Sequence, residues 1–125
     1  MNLPRSCAVS MLVLLTSPFG VHARDRVTLN VSPVQTFAPA NLFIRIGIDP
    51  SVENRGIDVE AESESFYRSS FVPLDGDRAP RTTTLEMRSL PSGVYEIRAV
   101  LLDDTGRQQA VARREVVVIP SAADR

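Results

Sequence analysis

The chain of 125 residues contains no tryptophan, no lysine, one cysteine (Cys7) and one histidine (His22). Both single residues fall in the first two dozen positions, and that placement decides what they can do. Met1–Ser6 carries one positive side chain, Arg5. An apolar run from Cys7 to Leu15 follows and is broken by Thr16-Ser17-Pro18-Phe19-Gly20, and Val21-His22-Ala23 is a small-residue exit. A charged start, a short apolar middle and a small-residue end read as a secretory signal spanning residues 1–23, cleaved after Ala23. The apolar run is too short for a membrane span, which needs about 20 apolar residues. Cys7 lies at the start of that run rather than at its exit, which argues against lipidation there.

Once the signal leaves, the remaining chain has no His, Cys or Lys. Ser-His-Asp, Cys-His and Ser-Lys devices cannot be assembled from it, and zinc and copper sites lose their usual imidazole and thiolate ligands. The expectation is a non-enzyme with no cofactor. An exported domain without disulfides must be held by its core alone, and the roughly 100 residues left suffice for one such core. Charge is also balanced, at −1 overall, with no basic face of the kind nucleic acid requires and no polybasic cluster for anionic lipid. The expected setting is the periplasm or the extracellular space, with another envelope or extracellular protein as partner.

What the sequence does have is a period of two. Val27, Leu29 and Val31 alternate with polar residues, as do Leu42, Ile44, Ile46 and Ile48, then Ile57, Val59 and Ala61, then Thr83, Leu85 and Met87, then Tyr95, Ile97, Ala99 and Leu101. Ala110–Ile119 closes the chain in a β-branched run. Such alternation puts one face of each strand into a core. Turn clusters separate the strands: Asp49-Pro50-Ser51, Asn54-Arg55-Gly56, Asp75-Gly76-Asp77, Pro91-Ser92-Gly93 and Asp103-Asp104-Thr105-Gly106. The last suits a hairpin with glycine in the left-handed region. The pattern predicts an all-β antiparallel sandwich of about seven strands over residues 24–120, with 121–125 as a disordered tail.

The segment Thr82–Ile119, TTTLEMRSLPSGVYEIRAVLLDDTGRQQAVARREVVVI, resembles the closing strands of fibronectin type III and related immunoglobulin-like domains. Leu85, Leu90, Pro91, Gly93, Tyr95 and Gly106 match that pattern. The resemblance implies an immunoglobulin-like sandwich in which Tyr95 forms a structural corner with Leu90 and Gly93, its hydroxyl bonded to backbone near Leu90. The inter-sheet cysteine pair and the buried tryptophan of many such domains are absent, so smaller groups around Val59 must fill that space.

Three kinds of site remain open to this composition. Asp58, Glu60, Glu62 and Glu64 alternate and line one strand face. That is either a cation strip or glycosidase-like acid pair, or the wet face of a sheet with arginines such as Arg98 offsetting it. The second reading is the ordinary one. Calcium is the one ion the loops could take, at Asp75-Gly76-Asp77, at Asp103-Asp104, or where Asp49, Glu53, Asn54 and Asp58 converge, although no spacing matches an EF-hand. Finally, Ser65–Phe71, SFYRSSF, gathers three of the seven aromatic side chains around one arginine. Phe66, Tyr67, Arg68 and Phe71, with the following Asp75–Arg81 loop, form the candidate partner surface. The plainer alternative is an edge strand covering the sandwich, and an open edge could also pair with a partner's strand. Together these features predict an exported immunoglobulin-like module for protein–protein interaction or spacing. The second choice is a carbohydrate-binding module of the same architecture, which the missing tryptophan disfavours, and a hydrolase ranks third.

Overall fold

The computed structural model describes residues 26–122, so the signal segment, Cys7, His22 and the last three residues of the tail lie outside the described residues. Eight strands follow one another: β1 Val27–Ser32, β2 Gln35–Phe37, β3 Ala40–Ile48, β4 Gly56–Glu62, β5 Tyr67–Pro73, β6 Thr82–Leu90, β7 Gly93–Leu102 and β8 Gln108–Ile119. A 3₁₀ turn at Gly76–Arg78 joins β5 to β6. The strands form a three-stranded sheet, β1-β3-β6, and a five-stranded sheet, β2-β8-β7-β4-β5. The chain is an all-β, immunoglobulin-like sandwich.

The period of two determines which side chains meet between the sheets. On β3, Ala40, Leu42, Ile44, Ile46 and Ile48 are buried; on β7, Tyr95, Ile97, Ala99 and Leu101 are; β4 adds Ile57, Val59 and Ala61. Each buried aliphatic chain contributes about 1.5–3 kcal/mol. A one-residue slip would expose a whole set, so the register is strongly fixed. Tyr95 is the largest fully buried side chain. Its ring meets Phe66 edge-on, centroids 6.2 Å apart.

Two features depart from the expectation of seven antiparallel strands. The chain leaves the three-stranded sheet at Pro33 and forms β2, an eighth strand, in the other sheet. β2 also runs parallel to β8, pairing Gln35 with Val117, Thr36 with Val118 and Phe37 with Ile119. Three residues are too few to display alternation, and their partner lies about eighty positions away (Gln35 with Val117). Local pattern carries no trace of such a pairing.

In the three-stranded sheet, the pairing of β3 with β6 is shaped by a bulge. The β3–β6 register shifts between Ala40 and Leu42, and the displaced Asn41 accepts the Ser89 N–H at 3.0 Å through Oδ1. Ser89 itself takes φ 58°, a left-handed conformation uncommon outside glycine. That bend delivers Leu90 into the core and turns the chain into β7.

Candidate interaction surface

The outward residues of the five-stranded sheet lie in rows across its strands. Phe71, Asp58, Val100 and Val111 form one row; Ser69, Glu60, Arg98 and Arg113 the next; Tyr67, Glu62, Glu96 and Glu115 the third. Three neighbouring carboxylates in a row would repel. The arginines of the adjacent row offset them. Arg98 Nη2 stands 2.8 Å from Glu60 and 2.9 Å from Glu62, and Arg113 Nε stands 3.1 Å from Glu96. An open groove of about 680 Å³ borders this network, lined among others by Glu62, Glu64, Val94, Glu96, Arg113 and Glu115. The acidic positions Asp58, Glu60 and Glu62 therefore share a sheet face with arginines, and Glu64 lies beyond the end of β4. Among the described residues, no group of three or more His, Cys, Asp or Glu side chains is placed to hold a metal ion.

The β5 segment divides by parity. Tyr67 and Phe71 point outward, 55% and 57% exposed, about 13 Å apart along the strand at its usual rise. The Tyr67 hydroxyl donates to Glu60 Oε1 at 3.0 Å. This bond raises the phenol's pKa, because ionisation would set two negative oxygens together. The Phe71 ring lies against Gly56: a Cβ there would come within 2.3 Å of the ring. Glycine at that position is what allows the ring to rest on the β4 backbone.

Phe66 and Arg68 were expected on the same surface, and the structure corrects this. Phe66 is half-buried against the core. Arg68 stacks on it, with its guanidinium carbon 5.2 Å from the ring centre, and donates through Nη1 to the Arg88 carbonyl on β6. Arg68 thereby ties the edge of one sheet to the edge of the other. Both side chains take the inward parity, so two of the four aromatic-segment residues are structural. The following Asp75–Arg81 loop is anchored at the buried Gly76, whose N–H donates to the Asn54 carbonyl at 2.9 Å, while Asp75, Asp77, Arg78, Pro80 and Arg81 stay exposed.

At the corner, the Tyr95 hydroxyl donates to the Pro91 carbonyl at 2.7 Å, and burial raises its pKa. Leu90 is fully buried beside it. Gly93 takes φ +155°, and a Cβ on it would approach Ser63 to 3.3 Å, so both conformation and space favour glycine there.

Of the loops considered for calcium, the one at Asp103-Asp104 has one carboxylate oxygen taken by its own donors. Asp103 Oδ1 accepts from Thr105 N (2.9 Å), Thr105 Oγ1 (2.7 Å) and Arg107 N (2.8 Å). Those donors, the Thr105 hydroxyl foremost, lower the Asp103 pKa. Asn54 is fully buried and donates through Nδ2 to the Asp49 carbonyl at 2.9 Å, while its Oδ1 has no hydrogen-bond partner.

Sequence reasoning passed over Phe43, 59% exposed on the outer face of the three-stranded sheet. It lines a groove of about 560 Å³ with Asn30, Ser32, Arg45, Thr84 and Glu86. A phenylalanine at an outward parity position of β3 was the available signal.

No protein-family model matches this chain, and no curated protein does. Solved structures do match its fold. A superoxide reductase (neelaredoxin) from Ignicoccus hospitalis aligns with a TM-score of 0.54 at 17% identity, over 74% of this chain and 79% of that one. The fibronectin(III)-like modules of CbhA from Clostridium thermocellum give 0.52 at 16% identity, over 76% of this chain and 98% of that one. A family 76 glycoside hydrolase from a bovine Bacteroides thetaiotaomicron strain gives 0.55 at 14% identity, over 76% of this chain and only 20% of that one. At such identities the shared property is the β-sandwich. Among the described residues, no helix is long and apolar enough to cross a membrane.

Proposed function

We propose that this chain is an exported, non-catalytic module of the fibronectin type III kind that binds another protein through the outer face of β5. The supporting observation is the pair Tyr67 and Phe71, both more than half exposed on one edge strand. Aromatic anchors beside a polar, charged surround have the composition of protein-contact centres. The ion-pair rows next to them offer orientation more than affinity. Export rests on the Met1–Ala23 pattern, and the non-catalytic reading on the absence of His, Cys and Lys after it.

The test is a Tyr67→Ala/Phe71→Ser double variant compared with the parent in pull-downs from an envelope extract and on a glycan array. Loss of a discrete captured protein, with the melting temperature retained, supports the proposal. Equal capture by both proteins removes the patch from consideration. Binding to glycans in place of protein would favour the carbohydrate-module alternative.

A further inference from the structure

β8 is the longest strand, yet β2 covers only its last three residues, Val117–Ile119. Among the described residues, nothing pairs with Gln108–Val116 on that side. The direction of the backbone groups follows from two contacts: Val117 N–H donates to the Val34 carbonyl, and the Ile119 carbonyl accepts from Ala38. N–H and C=O alternate sides along a strand, so Val111, Arg113 and Glu115 present theirs to the open edge.

The other edges are blunted. Arg68 crosses from β5 to a β6 carbonyl, β5 ends at Pro73, and the short β1 is followed by Pro33. Charges, prolines and short strands are the usual protections of an edge. β8 carries the charged residues Arg113, Arg114 and Glu115 in its unpaired stretch, and of these Arg114 occupies an edge-facing carbonyl, its Nη1 donating to the Arg113 carbonyl at 2.8 Å.

We propose that the open edge of β8 pairs antiparallel with the same edge of a second copy of this chain, joining two five-stranded sheets into one continuous sheet. Length and charge select the register. Each β2 blocks the edge from Val117 onward, so the two open stretches overlap fully when Gln108 of one copy meets Val116 of the other. That places Ala112 on the two-fold axis. Val111 and Arg113 then form mutual hydrogen-bonded pairs with Arg113 and Val111 of the second copy. Ala112 faces its own copy at the closest spacing, and Arg114 faces Ala110. No like charges stand directly opposite, whereas shifting the register one residue pairing toward the C-terminus would set Arg113 against Arg113, and the opposite shift, which sets Val111 against Val111, shortens the overlap. Arg114 must release the Arg113 carbonyl for pairing to occur, so it acts as the latch on this edge. Edge pairing alone covers less than the ~800 Å² per partner of a standard stable interface, and association in the range of about 10 µM to 1 mM is expected.

Sedimentation equilibrium across that range tests the proposal, using the parent, Arg114→Ala and Val111→Pro. The parent should show a concentration-dependent monomer–dimer equilibrium. Arg114→Ala should tighten it about tenfold, since two carbonyls per dimer are freed. Val111→Pro should be monomeric, because proline there removes only an edge-facing donor. A second measurement does not depend on any variant: exchange of the Val111 and Arg113 amides should slow as concentration rises. Monomers at the highest concentration for both parent and Arg114→Ala overturn the proposal. So does protection of those amides that is independent of concentration, which would assign the cover of that edge to the same chain.

Discussion

Replacing Tyr95 with phenylalanine removes a single oxygen and leaves the buried ring, and its edge contact with Phe66, in place. The oxygen lost is the donor of the 2.7 Å bond to the Pro91 carbonyl. A buried hydrogen bond is worth about 1–2 kcal/mol when one partner is removed. Here the lower end applies: Pro91 is exposed, so its carbonyl can recover part of its hydration. A loss of about 1 kcal/mol corresponds to a fall in melting temperature of about 4–8 °C for a domain of this size. Tyr95→Ala, which empties the site, should cost about 3–5 kcal/mol. Urea unfolding of the three proteins, read by circular dichroism, gives both differences. The pH dependence supplies an internal check. Burial raises the Tyr95 pKa above the ordinary tyrosine value, so the unfolded chain ionises first. Stability from the neutral phenol is complete below about pH 10 and is lost as pH rises from there. Tyr95→Phe cannot suffer that loss, so the gap between the two proteins should narrow in alkali. If Tyr95→Phe equals the parent in stability at neutral pH, the hydroxyl does not hold the corner and the reasoning fails.

Arg68→Ala should destabilise the sandwich by about 1–2 kcal/mol, through the lost bond to the Arg88 carbonyl and the lost stacking on Phe66; chemical denaturation measures it, and a change near zero would show that the two sheet edges need no tie. Asp103→Asn should loosen the β7–β8 hairpin, speeding amide exchange at Thr105 and Arg107. In the parent, the lowered Asp103 pKa means that the hairpin's extra stability is present above the ordinary aspartate range and lost as pH falls through the depressed value. A carboxyl titration of Asp103 by NMR at the ordinary aspartate value would contradict this.

The strands that carried alternating apolar residues were legible because burial of one face is a local signal repeated every second residue. The corner was legible too, since Leu90, Pro91, Gly93 and Tyr95 lie within a few positions of one another. β2 was not, because its pairing is made by β8 far along the chain. Nor was the division of Ser65–Phe71: parity separates Phe66 and Arg68 from Tyr67 and Phe71, but it does not say which pair faces the core. The neighbouring strands of the same sheet decided that, by offering Tyr95 to one ring and the Gly56 backbone to another.

By itself, then, the sequence determined an all-β chain, the faces of its long strands, its corner, and an inventory without His, Cys or Lys beyond residue 23. These are properties of spacing and composition, which a chain carries before it folds. The tertiary structure decided which aromatics remain exposed, that Arg68 is spent on joining the sheets, and that Asp103 is satisfied by its own loop. It also decided that β8 outruns its neighbour. Each of these depends on what stands opposite a residue, and only the packing of distant strands supplies that.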